Sequence, residues 1–189
     1  MATKESNRSL WTSKRQNKNF LIRKAELSDL TDIIKIAKLI NEDLLSHGLD
    51  QWNHGYPNKE TFTLDINEST QFILFQEDTL VGLVSINPLR NKNFFITDYE
   101  DKSDNFKIIS RLGVHPDYQG KGLAGILMEF CENYCKSQEI SSIRLGALKN
   151  YSKVVDFYLR REYKVRGEMF VERTNHTYYI MEKILRGNK

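Results

Sequence analysis

Cysteine, histidine and long apolar runs are all scarce in this chain. Its two cysteines, Cys131 and Cys135, stand four apart in a stretch of helical pattern. That spacing brings both thiols to one helix face. The four histidines (His47, His54, His115, His176) are scattered, however, and none forms a metal pair with them. We therefore expect no metal, and two reduced thiols on a core-facing helix. No apolar run approaches the ~18–20 residues that cross a bilayer. Nor does an apolar signal core stand near the N-terminus. A cytoplasmic protein without membrane contact is the expectation.

Charge is also scarce where a nucleic-acid binder would need it. The net charge is +3, but residues 1–24 hold seven basic groups and one acidic group, while the rest holds 21 basic and 24 acidic. The positive balance thus belongs to an arm and not to a folded face, and no nucleic-acid-binding motif accompanies it. Residues 1–19 read as a flexible basic extension, with Leu10-Trp11 as its only apolar pair. That extension is a solvated tail, or an element that recruits a partner or completes a homodimer.

From residue 20 to 189 the pattern is that of one domain. Phe20–Arg23 is a short strand, and Ser28 caps a helix whose apolar face is Leu30, Ile33, Ile34, Ala37, Ile40 and Leu44. A short helix follows between Lys59 and Asn67, then a hairpin of strands 71–76 and 80–86. A long loop, 88–104, carries Phe94-Phe95-Ile96 and an acidic end (Asp98, Glu100, Asp101, Asp104). The strand Phe106–Val114 comes next, with a helix from about Gly120 to Ser137. A strand at 143–148, a helix at 152–161 and an antiparallel pair at 163–170 and 177–185 complete the chain. The class is α/β (α+β).

One segment carries most of the chemistry. The strand ending Leu112-Gly113-Val114 meets a turn at His115-Pro116-Asp117. That turn opens into Gln119-Gly120-Lys121-Gly122-Leu123-Ala124, a glycine-rich helix start. The first N–H groups of a helix lack internal partners, and the helix dipole places partial positive charge there. Glycines let another molecule approach that backbone closely, so the segment suits a phosphate or pyrophosphate. The P-loop order Gly-x-x-x-x-Gly-Lys-Ser/Thr is absent, and so is the three-glycine dinucleotide fingerprint.

The pattern Gln119-x-x-Gly122-x-Ala124 after this strand resembles the acetyl-CoA signature of the GNAT superfamily of N-acetyltransferases, Gln/Arg-x-x-Gly-x-Gly/Ala. The order of elements from residue 20 to 185 is similar as well. The resemblance implies a central mixed, mostly antiparallel sheet of six to seven strands flanked by helices, with acetyl-CoA as co-substrate. It implies that the backbone of Leu112, Gly113 and Val114 pairs with the pantetheine arm as an added strand. In the family this strand is splayed from the next by a bulge, for which Gly113 offers a place. The N–H groups of Gln119, Gly120, Lys121, Gly122, Leu123 and Ala124 would wrap the pyrophosphate, with Lys121 adding charge.

A second segment, Asn150 to Tyr163, looks like the family's other cofactor-contacting stretch. Carried over, Asn150 bonds the pantetheine or its neighbourhood. Tyr158 is then the general acid that protonates the departing thiolate, a role open to a phenol with a pKa near ~10. This chain departs from the family in having Glu162, not glycine, before Tyr163, and bulky Val154 and Val155. The family often draws its base from the Phe106–Leu112 strand, which here holds no carboxylate, leaving only the acidic loop before it. Gln51-Trp52 and Tyr56-Pro57 resemble a pair found in some bacterial members, which would place Trp52 and Tyr56 at the acceptor pocket. The acceptor is then a small-molecule amine or a protein or peptide amine. A CoA-binding sensor without turnover is the rival reading.

Overall fold

The structure, a computed structural model, describes residues 11–15, 18–52, 55–89 and 98–185. Phe94-Phe95-Ile96, His54 and the first ten residues lie outside the described residues. Eight strands form one sheet: β1 (Trp11–Arg15), β2 (Lys18–Lys24), β3 (Gln71–Gln76), β4 (Thr79–Asn87), β5 (Phe106–Val114), β6 (Ser142–Leu148), β7 (Lys164–Val171) and β8 (His176–Ile184). Their spatial order is β1-β2-β3-β4-β5-β6-β8-β7. All neighbours run antiparallel except β5 and β6. The strand beyond the expected seven is β1, inside the stretch read as an extension. Trp11 packs edge-on against Phe130 with ring centroids 6.1 Å apart.

Helices cover both faces, so the central strands read as continuous apolar runs instead of alternating. On one face α1 (Leu30–Ser46) and α2 (Lys59–Asn67) bury Ile33, Ile36, Ile40 and Phe62 against Ile73 and Leu83. Ile36, not Ile34, completes the inward stripe of α1, and Ile34 is exposed. On the other face α3 (Leu123–Ser137) and α4 (Ser152–Leu159) close over Phe72, Leu74, Val84 and Ile109. Cys131 and Cys135 are free thiols within that layer. Among the described residues no helix is long and apolar enough to cross a membrane.

Two helix ends differ from their sequence signals. A 3-10 turn, Leu27–Asp29, precedes α1, and its capping box joins Glu26 and Asp29 instead of using Ser28. Asp29 also takes a bidentate pair from Arg23, both bonds 2.7 Å, which fixes β2 to this turn. After α4, Tyr163 N–H donates to Tyr158 O and Glu162 N–H to Leu159 O. Those two bonds make a Schellman ending, with Glu162 left-handed at φ 69° where glycine is usual.

Candidate functional site

The sheet forks in its middle. β5 and β6 pair only from Phe106↔Ser142 to Ile109↔Leu145. Beyond that point Ser110–Val114 keep β4 on one side and have no ladder partner on the other. Gly146, in an interior strand, is therefore exposed. The cause is a bulge. Ser110 pairs with Ser85 and Gly113 with Leu83, which leaves Arg111 and Leu112 opposite Val84 alone. The irregular residue is Arg111, at φ 51°, and not Gly113 as the sequence suggested. Gly113 has another task. A Cβ there would lie 2.7 Å from Ile40 Cδ1 and 2.9 Å from Trp52 Cη2.

Arg111 is held by a buried network. Its Nε donates to Ser85 Oγ (3.2 Å) and one terminal nitrogen donates to Tyr56 Oη (2.7 Å). The other terminal nitrogen is ion-paired with Asp65 of α2, whose side chain is fully buried. Ser85 has one proton to offer Asp65 Oδ2 or Gln71 Oε1, each 2.8 Å away. Gln71 Nε2 in turn donates to the carbonyl of Val84 (3.1 Å), the residue facing the bulge. A left-handed arginine costs about 1–2 kcal/mol. The bonds to its side chain, made where water is excluded, offset that cost.

At the C-terminal end of β5, Pro116–Tyr118 form a 3-10 turn closed by His115 Nδ1, which accepts from Asp117 N–H at 3.2 Å. Gly120 and Gly122 are left-handed (φ 72° and 80°). Among the described residues the N–H groups from Gly120 to Gly125 donate no hydrogen bond. A Cβ on Gly120, Gly122 or Gly125 would meet nothing within 4 Å. The result is a bare, donor-lined backbone at the start of α3. Gln119 anchors this turn sideways, donating from Nε2 to Asp43 Oδ2 of α1 at 2.9 Å. Lys121 lies over the Tyr118 ring and donates to Asp117 O at 2.6 Å. Leu123 is buried and Ala124 half-buried.

Tyr158 is buried against Tyr163 and Phe157, with ring centroids 5.7 and 5.2 Å away. Its hydroxyl makes no hydrogen bond among the described residues, and burial pushes its pKa above the ordinary phenol value. Asn150 is exposed at the turn between β6 and α4.

Beside the fork, on the α1/α2 face, opens a cleft of about 480 Å³. Trp52 and Tyr56 roof it, and Ser110, Arg111, Asn87 and Gly146 are on its floor and wall. Tyr56 lies between two guanidinium groups, Arg111 at 5.9 Å and Arg173 at 4.7 Å from its ring. The acidic loop is elsewhere. Glu100 pairs with Arg166, Asp98 with Lys102, and Asp101 accepts from Ser142 at 2.8 Å. All three lie by the N-terminal end of β5.

Of the residues that line this cleft, sequence reasoning named Trp52 and Tyr56 but not Asn87, Arg111 or Arg173, nor Asp65 and Ser85, which hold Arg111. A signal was present for four of them. Each is a polar residue set in an otherwise apolar strand or helix face (Phe62-x-x-Asp65-Ile66, Val84-Ser85-Ile86-Asn87, Ile109-Ser110-Arg111-Leu112).

Comparison with known proteins adds a family. The model of the acetyltransferase (GNAT) family matches residues 35–163. No curated protein matches the chain. Solved structures share its fold at low identity. A GNAT-family acetyltransferase from Listeria monocytogenes is 19% identical with a TM-score of 0.76, over 93% of this chain and 100% of its own. One from Streptococcus agalactiae is 15% identical with a TM-score of 0.77, over 94% and 99%. The PaiA N-acetyltransferase from Thermoplasma acidophilum, solved in complex with coenzyme A, is 21% identical with a TM-score of 0.66, over 87% and 98%.

Proposed function

The chain belongs to the acetyltransferase (GNAT) family, and on that footing we propose that it transfers the acetyl group of acetyl-CoA directly to a primary amine. The observation that carries this reading is the fork between β5 and β6 leading straight to the bare helix start. A slot with unpaired strand edge, ending at unpaired N–H donors, matches a ligand with an amide-rich arm and a pyrophosphate. The coenzyme A held by the Thermoplasma relative supports the same donor.

The chain's own groups divide the work. Leu112, Gly113 and Val114 take the arm along their free edge, and the backbone from Gln119 to Ala124 takes the pyrophosphate. A backbone N–H near Val114 polarises the thioester carbonyl. Tyr158, kept protonated by burial, gives its proton to the departing thiolate. Trp52 and Tyr56 border the acceptor, with Asn150 near the arm. Neither cysteine serves as an acyl carrier, since both are buried in α3.

Free-thiol release from acetyl-CoA over a panel of primary amines tests the reading. Turnover with at least one amine, slowed strongly in Tyr158→Phe, is expected. Tight acetyl-CoA binding without turnover of any amine overturns acetyl transfer and leaves the sensor reading.

A further inference from the structure

Two polar side chains of the cleft stand where the fork closes. Ser110 is the first residue of β5 beyond its pairing with β6, and it is half-buried in the cleft lining. Along β5 it precedes Leu112–Val114 and the start of α3. It therefore marks the end of the slot farthest from the pyrophosphate seat. An arm laid along that edge with its pyrophosphate at α3 brings its thioester to this end.

Asn87, the last residue of β4, lines the cleft beside it and is 4% exposed. Its Nδ2 donates to Ser110 Oγ at 2.8 Å, while its Oδ1 is buried without any donor. Turning the amide over only exchanges which of its atoms lacks a partner. A half-paired amide opposite Ile108 costs stability that an apolar side chain there would not. What the amide does secure is the Ser110 hydroxyl. With one lone pair taking the Asn87 N–H, that oxygen keeps its other lone pair for a molecule in the cleft. Arg111 beside it is already committed to Asp65, Ser85 and Tyr56.

We infer that Ser110 Oγ receives the acceptor amine by accepting a hydrogen bond from its N–H, and that Asn87 is the positioning residue that fixes this hydroxyl. This rests on the acetyl-transfer reading above. The contact turns the nitrogen lone pair of the neutral amine toward the thioester carbon. As the C–N bond forms and the C–S bond breaks, the nitrogen becomes cationic and its hydrogen bond to Ser110 strengthens. The contact thus favours the transition state over the bound amine. The sulfur takes the Tyr158 proton, and the surplus proton of the nitrogen leaves to solvent.

The test uses the full chain with acetyl-CoA and primary amines that include glycinamide, phenethylamine and spermidine. Ser110→Ala is expected to lower kcat/KM for the best of these by about tenfold or more, the scale of a hydrogen bond to a charged group. The loss falls on kcat and leaves KM for acetyl-CoA unchanged. Ser110→Thr keeps the hydroxyl and retains part of the rate. Asn87→Leu removes the half-paired amide, so its urea midpoint is expected to hold or rise while kcat/KM for the amine falls. A purely structural asparagine gives the reverse, a lower midpoint at unchanged kcat/KM. Undiminished kcat/KM in Ser110→Ala or Asn87→Leu, a raised KM for acetyl-CoA in Ser110→Ala, or a lowered midpoint in Asn87→Leu overturns the inference. Release of no thiol with any amine overturns acetyl transfer, and calorimetry of the same amines into the CoA-loaded protein then reads the contact. Binding about tenfold weaker in Ser110→Ala supports it, and equal or undetectable binding overturns it.

Discussion

Trp52 rests on Gly113 so closely that a methyl group on the glycine would stand 2.9 Å from the indole Cη2. The roof of the proposed acceptor cleft is thereby packed onto the strand proposed to hold the donor. Gly113 is required here for lack of space, and the left-handed residue of the strand is Arg111, two positions before it.

Gly113→Ala should accordingly overpack this contact. A loss of about 1–3 kcal/mol is expected, read by urea denaturation, with a raised KM for the amine. Adding Trp52→Leu should recover part of the stability, because the two substitutions share one contact and will not add.

Asp65→Asn removes the counter-charge of a guanidinium whose side chain is almost wholly buried. Breaking one side of such a pair costs about 3–5 kcal/mol. The midpoint of urea unfolding should drop accordingly, and acetyl-CoA affinity should fall with it if the bulge loosens.

Gly122→Val adds bulk where the structure leaves open space. The left-handed φ makes the substitution cost about 1–2 kcal/mol in stability, which thermal melting will show. Calorimetry should find acetyl-CoA binding lost in a protein that is still folded. Undiminished binding would sink the pyrophosphate assignment.

Tyr158→Phe should lower kcat by about 10²–10⁴-fold, the range for a lost general acid, with little change in KM for acetyl-CoA. Burial is the main cause raising the phenol's pKa, with Cys131 adding to it. A proton donor must stay protonated, so a raised pKa moves its limb upward. The pH profile of kcat should show no alkaline decline from this group up to about pH 10.

Cys135 is pushed up to about 12 by burial, and Cys131 well above its ordinary value for the same reason. Both thiols should resist a thiol-specific reagent at neutral pH in the folded protein and react at once in urea. Their folded values lie above the unfolded ones, so the unfolded chain ionises first as pH rises. Stability is full below about pH 8.5 and declines above it, a trend that urea midpoints across pH will check.

The core strands and the main helices were legible because each announces itself locally. Apolar runs bounded by turn residues mark β3 to β6, and a 3.6-residue period marks α1 and α3. The helix start at Gly120–Gly122 was legible for the same reason, since strand, turn and glycines are contiguous. The bulge was legible only as an expectation, and its position was misplaced. Gly113 offers the conformational freedom, but Arg111 takes the left-handed conformation because Asp65, Ser85 and Tyr56 converge on its side chain from α2, β4 and the α1–α2 connection. β1 was read as extension because its polar sequence has no period of its own. It is a strand through pairing with β2.

The sequence by itself determined the order of the main elements from β2 onward and the glycine-rich start of α3, because short-range periodicity and backbone freedom are written in neighbouring residues. Only the tertiary structure decided where β5 and β6 part, which residue bears the bulge, and that Arg173 and Asn87 share a cleft with Trp52 and Tyr56. Those facts depend on groups far apart in the chain, meeting where water is excluded. There a buried charge must find its partner, and a glycine must yield its space to an indole.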